Sequence, residues 1–291
     1  MKFFILLLSS LFFLTSCSSV KDKELKISVN SWVGYSPLFY AYDKGWLTKY
    51  KIKVVHVVSL AESMYIYDSK NADAFTGTQY EYNTLKQESK NLTPVMMFDE
   101  SYGGDMVMSN RTISELQASC NKIDTYLELN SINSVILTDF LNFYHIDKQR
   151  INYFNQDQES ISIIKNNQTK PTLIVTYAPY NILLEKSGFK TIASTKDKLS
   201  ITVIDALYTT QYTLSQHETQ FKALKVEIDR AIKALETNPK EYYEHVKYYL
   251  QDITYEEFID TLHDIRWINK KLPKNLKAKL QEINFPVNGL I

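Results

Sequence analysis

From Leu25 to Ala206 strand-like and helix-like segments take turns, which limits the chain to an α/β fold with helices covering mostly parallel sheets. Leu25 to Asn30 reads as an alternating strand, Leu38 to about Tyr50 as a helix, and Lys51 to Val58 as a β-branched strand. Ala61 to Ser69 is a short helix and Ala72 to Thr76 a brief apolar strand. Thr78-Gln79-Tyr80-Glu81 is a capping box that opens a helix to about Ser89. Pro94 to Phe98 and Asp105 to Ser109 are strands joined by Asp99 to Gly104. A second round starts with the box Thr112-Ile113-Ser114-Glu115. It continues through a helix at Asn133 to Tyr144, a strand at Ile151 to Asn155, a helix capped by Asp157 and a buried strand at Leu173 to Tyr177. A helix from Pro179 to Lys186 ends at Gly188, a C′ residue; strands at Lys190 to Ala193 and Ile201 to Ala206 follow. From Ser215 onward the pattern is helical. Two lobes follow from this order, with the chain crossing near Ser109 and again near Thr195 to Ser200. Residues 25–109 and 200–291 are expected to build lobe one, and 110–199 lobe two.

The loop Asn30 to Pro37 joins the first strand to the first helix. Ser36 suits the N-cap and Pro37 the first helical position, where a missing N–H costs nothing. Open α/β sheets bind small molecules at such strand ends, opposite helix N-termini. Trp32 and Tyr35 are expected to wall a pocket there, with Gly34 supplying access to positive φ. Helix starts at Ser36 and Thr78 would favour an anion, whereas Asp99, Glu100 and Asp105 around the Gly103-Gly104 turn would favour an amine. Trp32, Tyr35 and Tyr177 could add cation–π contact. Both tendencies together suit a zwitterion or a neutral polar heterocycle.

At the N-terminus Lys2 precedes a 12-residue run, Phe3 to Leu14, apolar except for Ser9 and Ser10 and too short to span a bilayer. Leu14-Thr15-Ser16-Cys17 resembles the lipobox of bacterial lipoproteins. That resemblance implies a signal peptide at 1–16, lipid on Cys17 and a polar stalk at 17–24 that anchors the protein outside the cytoplasm. Basic and acidic residues balance at 33 each, so no charge excess points to nucleic acid. Once Cys17 is lipidated only Cys120 remains, which leaves no intrachain disulfide; Cys120 is expected in the core. Seven glycines assemble neither a GxGxxG nor a P-loop, and the sequence has no Gly-x-Ser-x-Gly elbow. Five histidines lie scattered without metal-ligand spacing, so no metal, cofactor or catalytic role is expected.

Trp32-Val33-Gly34-Tyr35-Ser36-Pro37-Leu38, Gly45-Trp46-Leu47, Ala72-Asp73-Ala74, Thr176 to Tyr180 and Asn238-Pro239 together resemble the solute-binding proteins of nitrate/sulfonate/taurine-type ABC transporters. The same family includes pyrimidine-precursor binders, and the likeness runs from about Leu25 to Trp267. It implies a two-lobed type II periplasmic-binding-protein fold, with mostly parallel central sheets and a C-terminal helical segment. It also implies a monomer that holds a small organic nitrogen or sulfur compound in the interlobe cleft and delivers it to ABC permease subunits. The alternative is a binding protein that signals to a membrane sensor or chemoreceptor. Taken with the charge pattern above, the expected ligand residues are Trp32, Tyr35, Thr76, Thr78, Asp99, Asp105, Ser131 and Tyr177. This chain departs from the pattern at Leu129-Asn130-Ser131-Ile132-Asn133, where a missing glycine limits backbone approach to an anion and leaves the Ser131 hydroxyl to serve.

Overall fold

In a computed structural model residues 23–87, 91–287 and 290 are described; the expected signal peptide and Cys17 lie outside them. In chain order the first half runs β1 (Leu25–Asn30), α1 (Ser36–Asp43), β2 (Ile52–Val57), α2 (Leu60–Asp68), β3 (Ala74–Thr78), α3 (Gln79–Gln87) and β4 (Leu92–Ser101). Next come β5 (Asp105–Ser109), α4 (Ile113–Ala118), β6 (Ile123–Leu127), α5 (Asn133–Phe143), β7 (Ile151–Asn155), α6 (Gln158–Ser162), β8 (Thr172–Tyr177), α7 (Asn181–Lys186) and β9 (Lys190–Ser194). The chain ends with β10 (Ile204–Thr210), α8 (Gln211–Gln216), α9 (Glu218–Thr237), α10 (Pro239–Val246), α11 (Tyr255–Thr261), β11 (Ile265–Trp267) and α12 (Lys274–Glu282).

These elements form two sheets. One has the order β2-β1-β3-β10-β4-β11, the other β7-β6-β8-β5-β9. Each is parallel around its first strand, β1 or β6, and is closed by an antiparallel strand from the other half of the chain. The same pattern therefore occurs twice. Strands β3, β5 and β8 are buried at every residue, as expected where helices cover both faces of a sheet.

Local signals set most element boundaries. Thr112 and Thr254 form complete capping boxes with Glu115 and Glu257, Asp157 accepts the Ser160 N–H, and Gly188 sits at φ +89° after α7. Ser36 starts α1, but its hydroxyl accepts from Tyr242 Oη at 3.2 Å rather than from its own helix. Two expectations need correction. Asp105–Ser109 pairs with β8 and β9, so the chain crosses between sheets at Tyr102–Gly104 and not near Ser109. Cys120 is exposed, because it falls in the turn between α4 and β6.

The two crossings lie side by side. The Thr195 hydroxyl accepts the Gly103 N–H at 2.8 Å, the Thr195 N–H donates to the Asp105 carbonyl at 3.0 Å, and Ser101 and Thr195 hydroxyls meet at 2.9 Å. Paired short crossings of this kind are hinge positions for two lobes.

Candidate functional site

Next to the crossings, residues of both sheets close on a small cavity. Asn30, Trp32, Thr78 and Asp205 reach it from the first sheet, Asp105 and Tyr177 from the second. It offers a water centre only about 10 Å³, room for about one molecule. Any organic ligand therefore requires the lobes to part.

Trp32 fills the wall between the lobes. Its Nε1 donates to Asp99 at 3.1 Å and its ring meets Tyr177 edge-on, with centroids 6.0 Å apart. Two glycines make room for it. A Cβ on Gly104 would stand 2.3 Å from the indole, and one on Gly34 would stand 2.0 Å from the Asp99 carboxylate. Gly34 thus serves close approach; the positive φ expected of it is not used, since only Gly45, Gly103 and Gly188 adopt one among the described glycines. Tyr35 does not line the cavity; its ring packs against Phe98 and its hydroxyl donates to Asp205 Oδ1 at 2.5 Å.

Strand register brings the acids together. Thr78, Asp205 and Asp99 are successive cross-strand partners on β3, β10 and β4, so their side chains share one face. Asp105 stands opposite Tyr177 in the second sheet. Asp99, Asp105 and Asp205 are each at most 3% exposed. Among the described residues none of the three has a basic side chain in ion-pair contact. Burial pushes all three carboxyls up, and their mutual repulsion adds to it for Asp99 and Asp205; Asp105 is raised to about 7. Two carboxylates directly opposite across a strand pair destabilise the sheet.

The helix starts around the cleft are already occupied by the protein's own acids. Glu81 accepts the Thr78 N–H and hydroxyl through one oxygen, and the Ile132 N–H at the start of α5 through the other, at 3.0 Å; the expected box is incomplete, since the Thr78 hydroxyl accepts from the Tyr80 N–H. Glu128, in the second lobe, accepts the Ala61 N–H in the first turn of α2, also at 3.0 Å. Each lobe thus places a buried carboxylate on a helix N-terminus of the other. Burial raises Glu81, and raises Glu128 to about 7. Ser131 spends its hydroxyl locally, donating to the Glu128 carbonyl and accepting from the Asn133 N–H. Thr76 is in the core, its hydroxyl turned to the Ser28 carbonyl at 3.4 Å.

Of the eight residues expected to bind ligand, Trp32, Thr78, Asp105 and Tyr177 line the cavity and Asp99 and Tyr35 stand one contact behind it. Thr76 and Ser131 do not reach it. Sequence reading missed Asn30, Asp205, Glu81 and Glu128. A lone aspartate inside the apolar run Ile201 to Ala206 was the available signal for Asp205. Asn30 Oδ1 and Glu128 Oε2 are buried without a hydrogen-bond partner.

A second chamber of about 410 Å³, bounded by Ser59, Glu62, Glu128 and Asp157, takes residues from both lobes; Ser59 and Ala61 line it, while Leu60 between them lines the smaller cavity. A larger groove of about 470 Å³ runs between α3, α5, α12 and the second crossing at Ser200, Ile201 and Thr202. It contains no buried unpartnered polar atom, so the smaller interlobe cavity is the better candidate site. Among the described residues no group of three His, Cys, Asp or Glu could hold a metal ion, and no helix is long and apolar enough to cross a membrane.

No family model and no curated protein sequence matches the chain. Solved structures match its fold over most of its length. The ligand-binding component of an ABC-type import system from Staphylococcus aureus, with zinc bound, superposes with a TM-score of 0.71 at 13% identity, over 90% of this chain and 92% of that one. The alkanesulfonate-binding protein SsuA from Xanthomonas axonopodis pv. citri, bound to MOPS, gives 0.68 at 11% identity over 90% and 91%. The periplasmic nitrate-binding protein NrtA from Synechocystis gives 0.64 at 10% identity over 82% and 70%. At these identities the likeness fixes the fold, which is that of the periplasmic binding proteins.

Proposed function

We propose that the chain is the extracytoplasmic substrate-binding protein of an ABC importer, holding a small organic nitrogen or sulfur compound between its lobes. One observation carries this reading: side chains from both sheets converge on one enclosed cavity beside two adjacent crossings. A receptor of this kind needs a cleft and a hinge, and binding energy closes one lobe on the other. The similar solute-binding structures from importers support it. In this reading Trp32, Thr78, Asp105 and Tyr177 contact the ligand, Asp99 and Tyr35 hold their neighbours in place, and lipid on Cys17 keeps the receptor at the membrane.

Fractionated extracts of small molecules, added to the purified chain, test the reading by thermal melting. At least one fraction should raise the melting temperature by a few degrees, since ligand at 100 times its dissociation constant adds about 2.7 kcal/mol. Absence of a shift from every fraction would remove the receptor function. Cross-linking in membranes should then recover permease subunits; recovery of a sensor kinase instead would establish the signalling alternative.

A further inference from the structure

Resting on the receptor reading, we propose that the cleft selects an organic dication, with one protonated amino group in the inner cavity and a second in the outer chamber lined by Glu128. At the inner cavity Tyr35 donates to Asp205 and Trp32 to the neighbouring Asp99, but neither donor carries charge and one acceptor has no donor at all. Asp105 and Asp205 are buried with no cation, and Asn30 Oδ1 has no partner although its Nδ2 donates to Tyr177 at 3.2 Å. The outer chamber also holds one buried acceptor without a partner, although Glu62 there accepts the Val58 N–H and Asp157 the Ser160 N–H and hydroxyl. Glu128 is 5% exposed and its Oε2 has no partner, while Glu62 and Asp157 stand at the same walls. An ammonium group supplies what each chamber lacks, namely N–H donors and positive charge. The Trp32 and Tyr177 rings beside the inner acids offer aromatic faces to the same charge.

Anion binding meets the opposite situation. Sulfonate or nitrate is held by free backbone N–H groups at helix starts. Those of Thr78, Ala61 and Ile132 already donate to Glu81 or Glu128. An anion would have to displace a buried carboxylate and then sit among four others.

Thermal melting and titration calorimetry of the full chain with defined probes test the proposal: 1,4-diaminobutane, 1,5-diaminopentane, butylamine, taurine, methanesulfonate and nitrate. A diamine should raise the melting temperature by at least about 3 °C and bind roughly tenfold or more tightly than butylamine, while the three sulfonate and nitrate probes give no shift. Asp105→Asn should weaken both amine types at least tenfold. Glu128→Gln should weaken the diamine and leave butylamine unchanged, and Glu244→Gln, a change at an acid remote from the cleft, should affect neither. Shifts from taurine, methanesulfonate or nitrate without shifts from amines would overturn the charge selection and leave the receptor reading standing. Equal affinity for diamine and butylamine would overturn the two-chamber arrangement. Silence from all probes and from the extract fractions together would remove both readings.

Discussion

Two polar and aromatic clusters, one within the first lobe and one between the two sheets, use the same kinds of residue and satisfy them differently. Where α1 meets α9 and α10, Glu241 accepts from Tyr40 at 2.8 Å and Lys44 at 2.9 Å, and His245 lies between it and Asp43. Glu227 has Lys49 and Arg230, whose guanidinium stacks 3.6 Å from the Trp46 ring centre. Burial acts to raise the Glu241 carboxyl, but Lys44, Tyr40 and His245 more than offset it and leave it below its usual range. At the cleft Asp99, Asp105 and Asp205 meet only hydrogen-bond donors without charge, and all three are raised. The contrast separates a cluster that completes itself from one that leaves charge and acceptors to a partner. Buried like charges without a counterion destabilise the free protein, and in the proposed receptor their presence beside the crossings is what marks these acids as the ligand site.

The contrast is broken most severely at Trp32, which belongs to the cleft by position and to the core by packing. Sequence reading expects Trp32 to wall a pocket. With 3% of its surface exposed and Gly104, Tyr177 and Asp99 against it, Trp32→Ala should instead cost about 3–5 kcal/mol, in addition to weakening ligand. At this chain length that is a fall in melting temperature of roughly 10 °C. A fall of one or two degrees with a large loss of affinity would return Trp32 to the ligand alone.

Charge itself is tested by Asp105→Asn. The folded chain holds the Asp105 proton more tightly than the unfolded one, about 7 against an ordinary value near 4. Folding therefore binds protons in that interval, and wild-type stability must fall as pH rises from about 4 to about 7. Glu81, Asp99 and Asp205 face the same group and are raised as well, so their contributions add to the slope. Urea unfolding should find the wild type less stable at pH 8 than at pH 5. Asp105→Asn should recover on the order of 2–4 kcal/mol at pH 8 and little at pH 4. A variant less stable than wild type at pH 8 would show that Asp105 has a counter-charge in solution, and the two clusters would then be alike.

The fold was legible because its signals are local. Alternating apolar strands, the boxes at Thr112 and Thr254, the cap at Asp157 and the glycine at 188 each act within a few residues. The crossing was misplaced because Asp105–Ser109 has the same apolar character in either sheet, and only pairing with Thr172–Tyr177, more than sixty residues later, decides its membership. A still longer separation in sequence hid Asp205, which acquires meaning only opposite Asp99 on β4 and Thr78 on β3. Glu81 could be read as a cap for its own helix, but its second oxygen reaches Ile132 across the lobes, and no spacing rule predicts that.

The smallest effect belongs to the self-satisfied cluster, and it sharpens the comparison by what it leaves unchanged. Glu241→Gln removes a carboxylate whose side chain is 36% exposed and whose partners, Lys44 and His245, can turn to solvent. Partly exposed ion pairs are worth about 0–1 kcal/mol, so the melting temperature should move by no more than a few degrees. Because Glu241 lies below its usual range, the loss should appear above about pH 4 and vanish under acid, opposite in sign to the change at Asp105. Ligand response should stay at the wild-type level. If Glu241→Gln weakened ligand as much as Asp105→Asn does, affinity would depend on lobe stability in general, and the absence of cations at the cleft would lose its functional meaning.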